Sequence, residues 1–127
     1  MPSYDASDFD PPAPVARVVL RNLHSGATVS DVPLLLDTGA DVTLLPRTAV
    51  ERLGVPLLPE QRYELMSFDG SRSFAPVVML DLLFLRRAFR GRYLLIEAER
   101  GILGRDILNH VTLLLDGPRQ QWSEQTP

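Results

Sequence analysis

Leu34-Leu35-Leu36-Asp37-Thr38-Gly39-Ala40-Asp41 decides how the rest of the chain is read. An apolar run carries a strand toward the core and stops on an acid. A carboxylate taken out of water is costly unless a partner satisfies it. Thr38 offers a short hydroxyl, and Gly39 permits a tight turn that brings backbone N–H groups to the carboxylate. Ala40 keeps the turn small. Val42, Leu44 and Leu45 then resume the apolar pattern, so the turn is gripped from both sides by core. Asp and Gly are also ordinary turn formers, but turn acids are rarely led in by three leucines.

A second landmark lies downstream at Ile102-Leu103-Gly104-Arg105-Asp106-Ile107-Leu108. There a short apolar run meets a glycine and then a short helix, with Asp106 placed to act as a helix N-cap. A faint internal repeat links the two landmarks. Val32 to Pro46 and Tyr93 to Leu108 both run strand, apolar pair, glycine turn, short helix.

Together these segments resemble the retropepsin-like aspartic proteases, the family of the retroviral proteases. The likeness spans about residues 15 to 116 and is sharp at Leu34–Asp41 and Ile102–Leu108. It implies a mostly β, closed-barrel acid-protease fold with one or two short helices, working as a homodimer. It makes Asp37 the catalytic residue, with Thr38, Gly39, Ala40, Asp41 and Arg105 supporting its loop. Arg105 would pair with Asp41, Thr38 would hydrogen-bond to its twin's loop, and Gly39 would accept a hydrogen bond from the substrate backbone. Asp106 stands where the viral members carry Asn.

The remaining segments read mainly as strands and turns. Val15 to Asn22 and Thr28 to Leu36 form a hairpin, with Pro33 marking an edge or a bulge. Pro46 to Gly54 is a short helix, proline at its start and glycine just past its end. Tyr63 to Val78 is a hairpin turning at Asp69-Gly70. By its position it resembles the substrate-covering flap, whose tip would be Ser67, Phe68, Asp69 and Gly70, with one glycine where the viral tip has several. Val77 to Leu85 and Tyr93 to Glu97 are strands joined by a basic turn, Arg86 to Arg92, read as a solvated hairpin end rather than a nucleic-acid site. Val111 to Leu115 and Arg119 to Ser123 make a last hairpin, with Trp122 packing on the domain.

Composition sets the outer limits. The 127 residues fit one domain, and 45% hydrophobic with 23% charged content is globular. The expected division is a flexible, acidic, proline-rich leader at 1–14, a domain at 15–123 and a tail at 124–127. A net charge of −3 is too small to imply a polyanion partner or to exclude one, and no nucleic-acid motif is present, so no nucleic-acid partner is expected. Without cysteine there is no disulfide, thiolate nucleophile or cysteine metal site. His24 and His110 stand alone, so neither a metal nor another cofactor is expected. No membrane-length apolar run and no signal sequence is visible, which makes the cytoplasm the expected location.

One carboxylate does not complete a hydrolytic site that needs both a base and an acid. The other Asp-Gly pairs, at 69–70 and 116–117, lack the apolar frame. The expectation is therefore an aspartic endopeptidase built from two chains, each giving Asp37 across a two-fold axis, acting on a peptide or protein substrate. The rival reading is a non-catalytic peptide-binding or dimerisation module with the same fold.

Overall fold

The structure is a computed structural model that describes residues 2–58, 62–66, 70 and 72–126. In chain order the elements are β1 (Tyr4–Asp5), β2 (Ala13–Arg21), β3 (Thr28–Leu36), β4 (Leu44–Pro46), α1 (Arg47–Leu53), β5 (Arg62–Met66) and β6 (Arg72–Phe84). They continue with β7 (Arg87–Ile96), β8 (Gly101–Leu103), α2 (Arg105–Leu108), β9 (Leu113–Asp116) and β10 (Gln121–Glu124). Strands β2-β3-β8-β4-β7-β6 follow one another in the sheet, and β6 pairs back onto β2. The result is a closed six-strand barrel, mostly β with two short helices, as the sequence predicts.

Alternation fills the barrel. Val18 and Leu20 of β2, Val32 and Leu34 of β3, and Leu80 and Leu82 of β6 are all buried, as inward positions on a pleated strand should be. Leu45 and Leu103 close the same core from β4 and β8, and Ile107 caps it from α2. Pro33 sits opposite Arg17 of β2, one residue before β8 begins to pair at Leu34. Its missing N–H therefore falls where β3 has only one neighbour, and the register slips nearby, between Val18 and Leu20, where Asp31 takes φ +57. Helix α1 follows the expected grammar: Pro46 precedes it in extended backbone, and Gly54 ends it at φ +74 with its N–H on the Glu51 carbonyl.

The basic turn is placed differently from its expected position. The turn is only Leu85 and Arg86, at φ +54 and +63, and β7 already begins at Arg87. Two successive positive φ values are the type I′ pattern, which suits the twist of the flanking strands. Because non-glycine residues adopt it, no glycine marks it in the sequence. Arg90 faces Asp81 across the β6–β7 pair while its side chain stays largely in solvent. The Asp81 carboxylate is covered and held by Arg21 at 2.8 Å and Arg90 at 3.1 Å. Those arginines, Arg90 foremost, keep its pKa below the usual carboxylate value.

Within the residues expected to form a leader, short backbone pairings are present. Tyr4 and Asp5 pair with Pro14 and Ala13, and Ser3 bridges to Gln121. The Tyr4 N–H donates to the Gln120 carbonyl (2.8 Å), and the Trp122 N–H donates to the Pro2 carbonyl (3.0 Å). Asp8 pairs with Arg100 at 2.6 Å, and the Arg100 guanidinium lies over the Phe9 ring. Backbone pairing thus joins residues 2–5 to β2 and to the start of β10. Trp122 packs as expected: it is buried, leans on Phe84 and gives its indole N–H to the Val15 carbonyl.

Candidate active site

Strand β3 leads straight into the Asp37 turn. The Asp37 N–H donates to the Leu103 carbonyl (3.1 Å), which continues the parallel β3–β8 ladder by one residue. Its carboxylate is half-buried rather than buried, and Oδ1 accepts the Gly39 N–H at 2.9 Å. A Cβ at Gly39 would stand 3.1 Å from that same oxygen, so the glycine is what lets the N–H approach. The Ala40 N–H closes the turn on the Asp37 carbonyl (3.2 Å). Thr38, Gly39 and Asp41 are exposed. The turn therefore presents one oriented carboxylate at the surface of the single chain.

Helix α2 locks this turn from behind. The Arg105 N–H donates to the Ala40 carbonyl (2.9 Å), and its guanidinium donates to the Thr38 carbonyl (2.6 Å). The expected Arg105–Asp41 ion pair is absent among the described residues, and Asp41 points to solvent. A main-chain carbonyl within reach serves a guanidinium fork as well as a carboxylate does, and it fixes the backbone directly.

Asp106 is a second correction. The N-cap position of α2 is Gly104, which has no side chain to cap with, and Asp106 sits in the first turn. Its carboxylate reaches across to the loop instead. Oδ2 accepts the Thr43 N–H (3.0 Å), and Oδ1 accepts the Thr43 hydroxyl (2.6 Å). The Thr43 Oγ1 in turn accepts the Gly104 N–H (3.1 Å). Thr43 is fully buried with every polar group satisfied. Sequence reasoning missed it, because a threonine in Val42-Thr43-Leu44-Leu45 looks like ordinary strand filler. The available signal was a lone hydroxyl inside an apolar run.

Gly104 packs where no side chain fits. A Cβ there would lie 2.6 Å from the Val42 carbonyl oxygen and 3.1 Å from that of Ala40. Behind α2, the Tyr93 hydroxyl donates to the Phe89 carbonyl (2.6 Å). Burial, and then the negative Asp106 and Asp81, push its pKa well above the ordinary tyrosine range, so it stays neutral.

The internal repeat is visible as geometry. β3 runs parallel to β8, β4 runs parallel to β7, and each of the two pairs leads on to a short helix. The expected flap hairpin is present as β5 and β6, paired from Arg62–Pro76 to Met66–Arg72. Gly70 takes φ +84, whereas Ser67, Phe68 and Asp69 lie outside the described residues. Among the described residues no three side chains of ligating type gather to hold a metal, and no helix is long and apolar enough to cross a membrane.

Comparison with known proteins agrees with this geometry. A family profile described as aspartyl protease matches residues 15–107. Among solved structures, the EIAV protease complexed with the inhibitor HBY-793 is similar over 86% of this chain and 93% of that one, at a TM-score of 0.57 and 22% identity. The curated proteins hold no match. The matched span contains both the Asp37 turn and the Arg105–Asp106 clamp behind it, so the chain belongs to the aspartyl protease family, with a fold similar to that of a retroviral protease.

Proposed function

We propose that the chain is a homodimeric aspartic endopeptidase whose reacting groups are two Asp37 carboxylates, one from each copy. The observation that carries this reading is the Asp37 turn itself. One carboxylate is oriented by the Gly39 N–H, exposed at its rim and braced by Arg105, in a chain with a single Asp-Thr-Gly.

Two carboxylates brought to about 3 Å cannot both ionise, so they share one proton and titrate as a pair. The ionised member takes a proton from a water that attacks the scissile carbonyl. The protonated member donates to the carbonyl oxygen. The tetrahedral intermediate collapses as the amine takes a proton and leaves. The substrate is an extended peptide, laid as a strand against the exposed turn and covered by the β5–β6 hairpin. Thr38 meets the twin loop and Gly39 the peptide backbone, a reading that their exposure beside Asp37 supports.

Cleavage of a mixed peptide library across about pH 4 to 8, with wild type and Asp37→Asn side by side, tests the proposal. Wild type cleaves, with a rate that falls toward high pH, and Asp37→Asn loses at least about a thousandfold. Equal cleavage by both proteins removes Asp37 from the reaction. No cleavage by dimeric protein leaves a peptide-binding module.

A further inference from the structure

We infer that Arg100 is a specificity-determining residue: it reads an acidic side chain of the substrate peptide, and Asp8 of the same chain stands in for that side chain. The inference rests on the peptidase reading of the Asp37 turn and adds to it a preference for sequence.

Strand register places Arg100 on the surface that carries Asp37. Leu34 pairs with Ala16 of β2 and with Gly101 of β8, and all three are buried in the barrel. Side chains alternate along a strand, so Pro33, Leu35 and Asp37 belong to the outer face. Leu35 stands opposite Ile102, and both are half-buried. Arg100 comes one residue before Gly101, in line with Pro33, and so falls on that same outer face. The face runs from the Asp37 carboxylate, over an apolar step made by Leu35 and Ile102, to a guanidinium. From Pro33 to Asp37 is about 13 Å of extended chain. A peptide laid as a strand on this face therefore meets Arg100 within about four residues of the bond that is cut.

The chain itself supplies what Arg100 binds. The guanidinium meets the Asp8 carboxylate at 2.6 Å and lies over the Phe9 ring, 4.8 Å from its centroid. Asp5 builds the turn that presents Asp8: its Oδ1 accepts the N–H of Ser7 (2.8 Å) and of Asp8 (3.0 Å). A guanidinium recognises a carboxylate whichever chain brings it. The Asp8 side chain is 54% exposed, and an ion pair so open to water is weak, so a substrate carboxylate can take its place.

The test uses extended peptide pools that match except for Asp, Asn or Lys at the varied position. Wild type cleaves the Asp pool at least about tenfold faster than the Asn pool, and Arg100→Ala brings the two within about twofold. Arg100→Glu turns the preference to the Lys pool, which an arginine of merely structural role would not do. Arg119→Glu, an exposed arginine in the turn between β9 and β10, keeps the preference for Asp. The fluorescence of the single Trp122 checks that each variant folds. Asp8→Asn vacates Arg100 and lowers KM for the Asp pool; an unchanged KM overturns the stand-in role. A wild type that prefers the Lys pool, or a preference for Asp that survives Arg100→Glu, overturns the inference. Fluorescence anisotropy of the labelled pools on Asp37→Asn protein reads binding without cleavage. If wild type never cleaves and the Asp pool still binds more tightly through Arg100, the peptidase reading falls and the role of Arg100 stands. Cleavage of all pools alike does the reverse, and pools that are neither cleaved nor told apart in binding overturn both.

Discussion

Thr43 and Asp106, 63 residues apart in sequence, are joined by two hydrogen bonds through the two oxygens of one carboxylate. This clamp fastens the end of the Asp37 loop to the first turn of α2. Its consequence for stability is measurable because Thr43 is fully buried. Thr43→Val leaves the Gly104 N–H without its acceptor and the carboxylate without one donor, and costs about 1–3 kcal/mol. For a domain of this size that lowers Tm by about 3–5 °C per kcal/mol. Thr43→Ser keeps both bonds and recovers most of the loss. Thermal melts of the two variants decide it, and equal melting temperatures would mean that the hydroxyl contributes nothing.

Arg105 braces the same loop from the other side through the Thr38 carbonyl. Arg105→Lys removes the fork geometry while keeping the charge. Under the proposed function, kcat/KM falls by about tenfold to a hundredfold with a smaller change in stability, because Thr38 and Asp37 lose their fixed place. Asp41→Asn leaves stability within about 0.5 kcal/mol, since Asp41 is exposed and takes no part in that brace. An Asp41→Asn variant that destabilises as much as Arg105→Lys would restore the ion pair expected from the sequence.

Gly101 and Gly104 are steric requirements. A Cβ at Gly101 would meet the Leu44 carbonyl, and one at Gly104 would meet the Val42 carbonyl at 2.6 Å, both of them backbone atoms that cannot swing aside. Gly101→Ala and Gly104→Ala each cost about 1–3 kcal/mol or more. Gly117→Ala, with open space around it and no positive φ, stays near wild type. Denaturant unfolding followed by Trp122 fluorescence separates the cases.

Asp81 gives a pH dependence with a defined sign. Arg90 first, and then Arg21, hold its pKa below the unfolded reference of 3.8. Between the two values the unfolded chain binds more protons than the folded one, so stability rises with pH there. The contribution is fully present above about pH 4 and is lost as pH falls through the folded value. The stability gap between wild type and Asp81→Asn therefore narrows on acidification below about pH 4. Parallel curves down to low pH would show that the arginines do not tune this carboxylate.

Much of this was legible in the sequence, and for physical reasons. The leucines before Asp37, the Pro46–Gly54 helix grammar and the alternation of β2, β3 and β6 are local signals, and local chemistry fixed the outcome. The misses are non-local or unmarked. Arg105 chose a carbonyl over Asp41 because the tight turn carries the Thr38 carbonyl to it, which no spacing rule reveals. The Leu85-Arg86 turn holds two non-glycine residues at positive φ and so sends no signal. The partners of Pro2, Ser3 and Tyr4 at residues 120–122 lie more than a hundred positions away, beyond any local pattern.

Strand β8 lies between β3 and β4, although β3 and β4 follow each other directly in the chain. The Asp37 loop must therefore bridge a gap that remains empty until residues 101–103 slide into it. A chain emerging from synthesis carries this turn before the residues that hold its backbone. Only when Leu103 and Arg105 arrive do Asp37 and Ala40 find their backbone partners. Under the proposed function, a chain cut short before residue 103 keeps the acid and lacks the frame behind it.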